Sequence, residues 1–581
     1  MQLDPILTEL LRSNELPSEA KRQETIGLRS QANGDFLHID TEIQRLMAKR
    51  EQVQKSLDIY NTILSPARRL LPDILREVFH HCIGETYPIL SAKEAPMVLT
   101  RVCSQWRSVA LSSPRIWTRL HIPLPGDPRM FTNYAMNDRQ AVELCRQEFS
   151  KMMQIRCQAV KDWLDRSGSC PLSLSIAYPL DYISGMDTDN DEDDVAGPLF
   201  QIIHPFAPRW EHLRLSMPLS VYRRLETRVP LHSLSMLQSF TGNILAPGPP
   251  LGAAFTPMPL HIIELPSLEA LSLNFLQFTI NLGRYRNSWN HLTNICFESP
   301  VSDTDLLDLL RQCHNLIILD VNMQIPWVRS DGRELNLSTV LLPHLKSLKL
   351  REMGSSSSAI FAVNAPSLKL LQYRCPHRYR ASVGPNEPRI FRPESLIWLI
   401  SNAAATLETL SIDPITFEQE QVLECLGLAV HVKDLTFGDK FAFVPDPEED
   451  IRYHDFFDLG AFTIPITEYD SSITSNMPPQ NQFLLPNLES LEANGGYIIG
   501  DEKVCRILTS RIQAAQRGMI SPLRRVKIQF WRQKEDDIVP EIVARAREAG
   551  MLMKLDLLYR PPGSCNVGPF SPSFLLPLPE P

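Results

Sequence analysis

LPHLKSLKL, Leu342 to Leu350, holds the pattern on which the reading of this chain turns. Its apolar residues Leu345, Leu348 and Leu350 are spaced by three and then by two. The last two flank Lys349, which is the period of a strand with one buried face. A proline stands just ahead of them, where it favours a turn. The same pattern appears as LPSLEALSL, Leu265 to Leu273, and as LPNLESLEA, Leu485 to Ala493.

The pattern recurs on both sides, with a proline one or two residues ahead at Trp210, Leu368 and Leu523 and without one elsewhere. It is found at Trp210-Leu213-Leu215, Leu292-Ile295-Phe297, Leu316-Leu319-Val321, Leu368-Leu371-Tyr373, Leu407-Leu410-Ile412, Val432-Leu435-Phe437, Leu523-Val526-Ile528 and Leu552-Leu555-Leu557. Many neighbouring units lie about 23 to 31 residues apart, the period of a leucine-rich repeat. Helical segments such as VSDTDLLDLLRQC, PESLIWLISNAAAT, KVCRILTSRIQAAQ and VPEIVARAREAG fall between them. A strand, a turn and a helix per repeat predict an α/β fold. Its strands pair in parallel, because one repeat cannot bury its own apolar face and a stack can. The expected form is an irregular solenoid with a strand-lined concave surface. Its irregularity is legible: the Asn that usually follows the last apolar residue is replaced by Leu276, Gln324, Met353 and Gly496.

Ahead of the repeats the chain is helical. Two short helical patterns split at Leu16-Pro17-Ser18. From Ile39 to Leu64, residues Ile39, Ile43, Leu46, Arg50, Val53, Leu57, Tyr60 and Leu64 alternate at spacings of four and three, a heptad seam. Thr41 and Gln44 have the spacing of a capping box at its start. The seam predicts either packing on its own domain or a coiled coil with a second copy or a partner. Ser65-Pro66 ends it, and Pro72 fits the first turn of a new helix. That helix carries Ile74, Leu75, Val78, Phe79 and Cys82 on one face. A second shows Leu99, Val102, Cys103, Trp106 and Ala110, and a short third carries Ile116 and Trp117. Three helices in so short a span bury little and call for outside support. Residues 138–166 read as one long amphipathic spacer helix stopping at Ser167-Gly168.

The predicted domains are therefore 1–64, 65–125, 126–168 and 169–581. Insertions are expected at about 181–198 and at 441–482, where loops of this length are disordered or functional.

Composition narrows the function classes. With 58 basic and 67 acidic residues the net charge is -9, which weighs against bulk nucleic-acid binding. No basic region followed by an apolar run opens the chain, and no 18-residue apolar run appears, so neither a signal peptide nor a membrane span is expected. The eleven cysteines form no CxxC pair and read as reduced core thiols of a cytoplasmic or nuclear protein. DTDNDEDD, Asp187 to Asp194, starts like a calcium loop but has Glu192 where Gly is needed and Pro198 where Glu is needed. His80, His81 and Cys82 are consecutive on a helix and splay apart, so they do not converge on a metal. Cys103, on an apolar helix face, reads as a buried inert thiol. No GxSxG, GxxxxGK[ST] or HExxH is present, and nothing asks for an enzyme or a cofactor. A site hidden in 441–482 is the enzymatic alternative.

The segment 65–125 resembles the F-box. Leu71-Pro72 supplies the Leu-Pro start, Ile74-Leu75 and Val78-Phe79 the aliphatic first helix, Val102-Cys103 and Trp106-Arg107 the Val-Cys-x-x-Trp-Arg core, and Trp117 follows. The whole layout is similar to the F-box-like proteins of mushroom-forming fungi. The resemblance implies docking on a Skp adaptor and through it on a cullin, with Leu71, Pro72, Ile74, Leu75, Val78 and Phe79 facing the adaptor. Val102, Cys103, Trp106 and Trp117 would hold the domain together. It implies a substrate-receptor subunit of a ubiquitin ligase, with an unidentified target protein on the repeats. The alternative is a scaffold that binds through the F-box or the seam without ubiquitin transfer.

Overall fold

A computed structural model of the protein describes residues 16–84, 87–124, 139–178, 197–245, 261–276, 289–324, 338–353, 362–374, 394–413, 417, 419–438, 457–464, 483–497, 499–530 and 532–559, with Thr8 and Leu11 besides. The chain divides into two compact units, Met1–Cys82 and Ile83–Pro581. The division falls inside the expected 65–125 domain.

The first unit is helical. Helix α1, Glu19–Leu64, runs 46 residues without a break, about 69 Å at the rise of an α-helix. Ser18 caps it, its hydroxyl accepting from the Lys21 N–H at 3.4 Å. The expected start at Thr41 does not exist. Thr41 lies mid-helix and its hydroxyl donates back to the Leu37 carbonyl at 2.7 Å. Ion pairs one turn apart, Arg45 with Glu42 at 2.7 Å and Lys55 with Glu51 at 2.6 Å, support the continuous helix. Ser65 turns out of the helical region before Pro66, as the sequence predicts. After a 3-10 turn at Pro66–Arg69, helix α2, Pro72–Cys82, opens on its proline.

Among the described residues the second unit is built on a sheet of 14 strands, all parallel. They are β1 Arg119–Pro123, β2 Leu172–Ala177, β3 Trp210–Pro218, β4 Ser239–Leu245, β5 Ala270–Leu276, β6 Asn294–Val301, β7 Ile318–Gln324, β8 Ser347–Met353, β9 Leu370–Arg374, β10 Thr409–Ile412, β11 Asp434–Phe437, β12 Ser490–Tyr497, β13 Arg525–Phe530 and β14 Lys554–Tyr559. They lie side by side in the order of the chain. Parallel neighbours in chain order require every connection to return to the starting end, so each turn of chain adds one strand.

The register stacks like on like. One row runs across the sheet from Leu120 to Leu555, one apolar residue per strand, each at most 8% exposed. A second row, two residues on, runs from Ile122 to Leu557 and is apolar except at Gly242. Between them, on the opposite face, lies a row that begins His121, Ser175, Arg214, Thr241 and ends Glu492, Lys527, Asp556. Alternation along each strand thus becomes a dry face and a polar face across the whole sheet.

The LPxL corners work as turns. The Leu265, Leu342 and Leu485 carbonyls accept from the N–H groups of Leu268, Leu345 and Leu488 at 3.2–3.3 Å. Proline at the second position pre-sets such a turn, and the following leucine drops into the core. The predicted helices are present at Asp303–Leu310, Glu394–Ala403, Asp501–Gln516 and Val539–Glu548.

Three strands were hidden from the repeat pattern. β1 and β2 lie ahead of its first match. In β4, Leu237 and Phe240 are followed by Gly242, where a Cβ would stand 3.0 Å from the Phe240 ring. The ring fills the place of the missing side chain.

Two elements cross the expected boundaries. β1 lies in the presumed F-box domain but pairs with β2, so this segment is built into the sheet. Residues 88–89 flank its other edge: Ile89 bridges to His121, whose N–H donates to the Pro88 carbonyl at 2.8 Å. The presumed spacer, helix α4, Arg139–Arg166, is the crossover between β1 and β2. It buries Met153, Cys157, Val160, Trp163 and Leu164, and Gly168 at φ +56 ends its last turn.

The expected insertion at 441–482 is also part core. Phe457, Leu459, Phe462 and Ile464 are buried, and the Phe457 and Phe462 rings stand 5.2 and 6.1 Å from Phe437. The rest of that insertion, and the Asp187–Asp194 run, lie outside the described residues. At the other predicted insertion, Gly197 and Pro198 already belong to the helix Gly197–Ile203.

Candidate functional site

Helix α2 is narrow, and its apolar residues span more than one flank. At about 100° per residue, Leu75 and Phe79 point one way while Leu71, Ile74 and Val78 point to the adjoining flank. Leu75 and Phe79 are fully buried. Leu71 is 68% exposed, Ile74 50% and Val78 39%, with Pro72 exposed beside them. The six residues expected to face an adaptor therefore divide. Leu75 and Phe79 are core, because one flank of the helix is covered. The open apolar flank is Leu71, Ile74 and Val78.

The residues expected to hold the domain together also divide. The predicted second helix is two pieces, a 3-10 turn at Val98–Arg101 and helix α3, Ser104–Leu111. Cys103 between them is extended and acts as the cap, its sulfur accepting from the Trp106 N–H at 3.4 Å. This break rotates the upstream residues out of the helical register. Val102 becomes 56% exposed and Cys103 exposed, while Leu99 stays buried and Trp106 half-buried. Trp117 is the anchor. It is fully buried, its indole N–H donates to the Ala110 carbonyl at 2.9 Å, and its ring meets Trp163 edge-on at 4.9 Å. The Arg166 guanidinium lies over it at 4.9 Å.

Cysteine reactivity follows burial. Cys313 and Cys425 are buried, and burial pushes both thiols up to about 12. Cys82 and Cys103 are exposed, against the expectation of core thiols throughout. His80 and His81 are exposed too, with ring centroids 5.9 Å apart. Among the described residues no group of three His, Cys, Asp or Glu side chains could hold a metal ion, and no helix is long and apolar enough to cross a membrane.

The polar face of the sheet is the second candidate surface, and its chemistry concentrates at β5–β8. Asp320 pairs with Arg351 at 2.5 Å and stands 3.8 Å from Lys349. Asn274 donates to the Glu298 carboxylate at 2.8 Å, and Asn322 donates to the Glu298 backbone carbonyl. Burial holds the Glu298 carboxyl above its ordinary range, Arg351 opposing the shift and Asp320 adding to it. Asn322 is 8% exposed and its Oδ1 lacks a partner among the described residues. Sequence reading marked none of these residues, because they are the unremarkable polar partners in an apolar alternation; only the register brings them together.

A third polar group is a structural lock. Asp501, fully buried, accepts from Arg532 at 2.5 Å, from Tyr559 at 2.7 Å and from the backbone N–H groups of Glu535 and Asp536. Arg532 lies over the stacked rings of Phe530 and Tyr559. Every acceptor site of Asp501 is used inside the fold, which leaves the group no chemistry to offer.

Against known protein families and curated proteins, the chain matches no family and no curated sequence. The F-box resemblance rests on the residues quoted above.

Proposed function

We propose that this protein is the substrate-receptor subunit of a Skp–cullin–F-box ubiquitin ligase. The open flank of α2, Leu71, Ile74 and Val78 with Pro72, docks on the Skp adaptor. The sheet, read as an irregular leucine-rich-repeat solenoid, offers its polar face to a target protein. The receptor does no bond chemistry. Holding the target near a charged ubiquitin carrier raises its effective concentration, and that is its contribution.

The observation that supports this most is three apolar side chains, 39–68% exposed, on the helix that carries the Leu-Pro start. An apolar stripe of this kind in a helix points to a partner surface.

The test is a pull-down of the Skp adaptor by the full chain, because β1, within the F-box-like segment, is built into the sheet. Ile74→Asp and Val78→Asp should abolish binding and leave the melting temperature unchanged. Phe79→Ala should instead cost about 3–5 kcal/mol of stability, as for any buried Phe. Failure of the folded wild-type chain to bind the adaptor would sink the proposal. Binding without ubiquitination of any co-purified partner would favour a scaffold, which the exposed seam of α1 also suits.

A further inference from the structure

Helix α1 has no buried residue along its 46-residue length. Its seam is open: Ile39, Ile43, Leu46, Val53, Leu57, Tyr60 and Leu64 are each 47–66% exposed. The heptad also continues upstream of Ile39 through Ala32 and Phe36, the latter 69% exposed. We infer that α1 pairs with α1 of a second copy of this chain, antiparallel, with Ile43 of one helix opposite Leu46 of the other.

The charges select this arrangement. Asp35, Asp40 and Glu42 precede Arg45, Lys49, Arg50 and Lys55, among which stands Glu51, paired with Lys55. Among the described residues Asp35, Asp40, Lys49 and Arg50 take no ion pair along the helix. In a parallel pair, Arg50 would meet Arg50 in one core layer, and Asp35 would flank Asp40. Both contacts are repulsive. The antiparallel pair centred between Ile43 and Leu46 removes them.

In that register the flanking positions match. Glu42 of each helix faces Lys49 of the other, and Leu28 faces Ile63. Arg50 lies opposite Ile39, with Asp40 beside it, and its stem packs on the seam while its charge reaches out. Phe36 sits in a layer with Val53, and Leu57 with Ala32, large against small. Sliding one helix by a heptad either way would set Lys49 against Lys49 or Glu42 against Glu42. The paired stretch, from residue 25 to 64, is about 60 Å long, with Arg29 opposite Tyr60 and Thr25 opposite Leu64 at its ends. A two-helix contact of that length buries on the order of 1,600 Å², the size of a stable interface.

The experiment is the molar mass of the full chain in solution by sedimentation, with three variants. Wild type should run at twice the 66.1 kDa of one chain. Val53→Asp should run as monomer. Lys49→Glu should weaken the dimer roughly ten-fold or more. It relieves the Arg45–Lys49 repulsion one turn apart, so a loss cannot come from a weaker helix. Adding Glu42→Lys to it should restore the wild-type dimer, because the two positions face each other only in the antiparallel pair. A monomeric wild type at tens of micromolar, a dimer indifferent to Val53→Asp, or a Lys49→Glu defect that the second change does not rescue would each overturn the inference. None of these outcomes depends on adaptor binding, so the proposal of function stands or falls separately.

Discussion

Ile74 and Leu75 are neighbours in the chain, yet Leu75 is fully buried and Ile74 half exposed. A helix turns about 100° per residue, so adjacent apolar residues serve different masters: one holds the fold and one is free to bind. Asp501 shows the opposite economy, a single carboxylate with every lone pair committed. Burial alone would raise its pKa. The Arg532 guanidinium, the backbone N–H groups and the Tyr559 hydroxyl more than offset this and hold it well below the ordinary carboxylate range. Asp501→Ala strands a buried Arg532 and should cost about 3–5 kcal/mol in urea unfolding. The pH dependence has a definite sign. The folded pKa lies below the unfolded value of about 4, so the unfolded chain takes the proton first as pH falls. The stabilisation should be complete above that value and fade below it. In Asp501→Ala that part of the acid sensitivity should be gone.

At the scale of elements, the strand rows decide what each position tolerates. Gly242 occupies a place that is apolar in every other strand, and the Phe240 ring lies where its side chain would go. Restoring the repeat pattern with Gly242→Leu should therefore destabilise, by about 1–3 kcal/mol, through overpacking. A melting temperature that rose instead would mean the ring can move aside. Leu552, just ahead of the last strand, has the pattern of a core residue but is 89% exposed. Its counterpart Leu523, one strand earlier, is buried.

Across the whole molecule, the sheet begins earlier than the repeats do. β1, Trp117 and α4 form its first turn. A fragment starting at residue 126 removes β1, bares the edge of β2 and takes Trp117 from Trp163. It should aggregate or melt far below the full chain, since a bared parallel edge invites pairing with other chains. A fragment starting at Ile83 retains all three and should remain monomeric on size exclusion if α1 carries the dimer contact. Equal behaviour of the two fragments would return the boundary to residue 125.

Most of the sheet was legible in the chain itself. Apolar alternation about a polar residue is a local property, and its recurrence predicts parallel strands, the turn prolines and the intervening helices. The apolar seam of α1 from Ile39 to Leu64 was legible for the same reason, but neither its exposure nor the helix start at Glu19 was. The resemblance to the F-box is what singles out α2 as a proposed binding element. The sequence alone did not say which of Leu71, Ile74, Leu75, Val78 and Phe79 stay exposed, that Cys103 breaks a helix, that Phe457 to Ile464 rejoin the core, or that Glu298, Asp320, Asn322 and Arg351 meet. Periodicity reports which residues favour burial. What buries them, and which polar residues end as neighbours across strands, depends on contacts between residues far apart in the chain, and only the tertiary structure decided those.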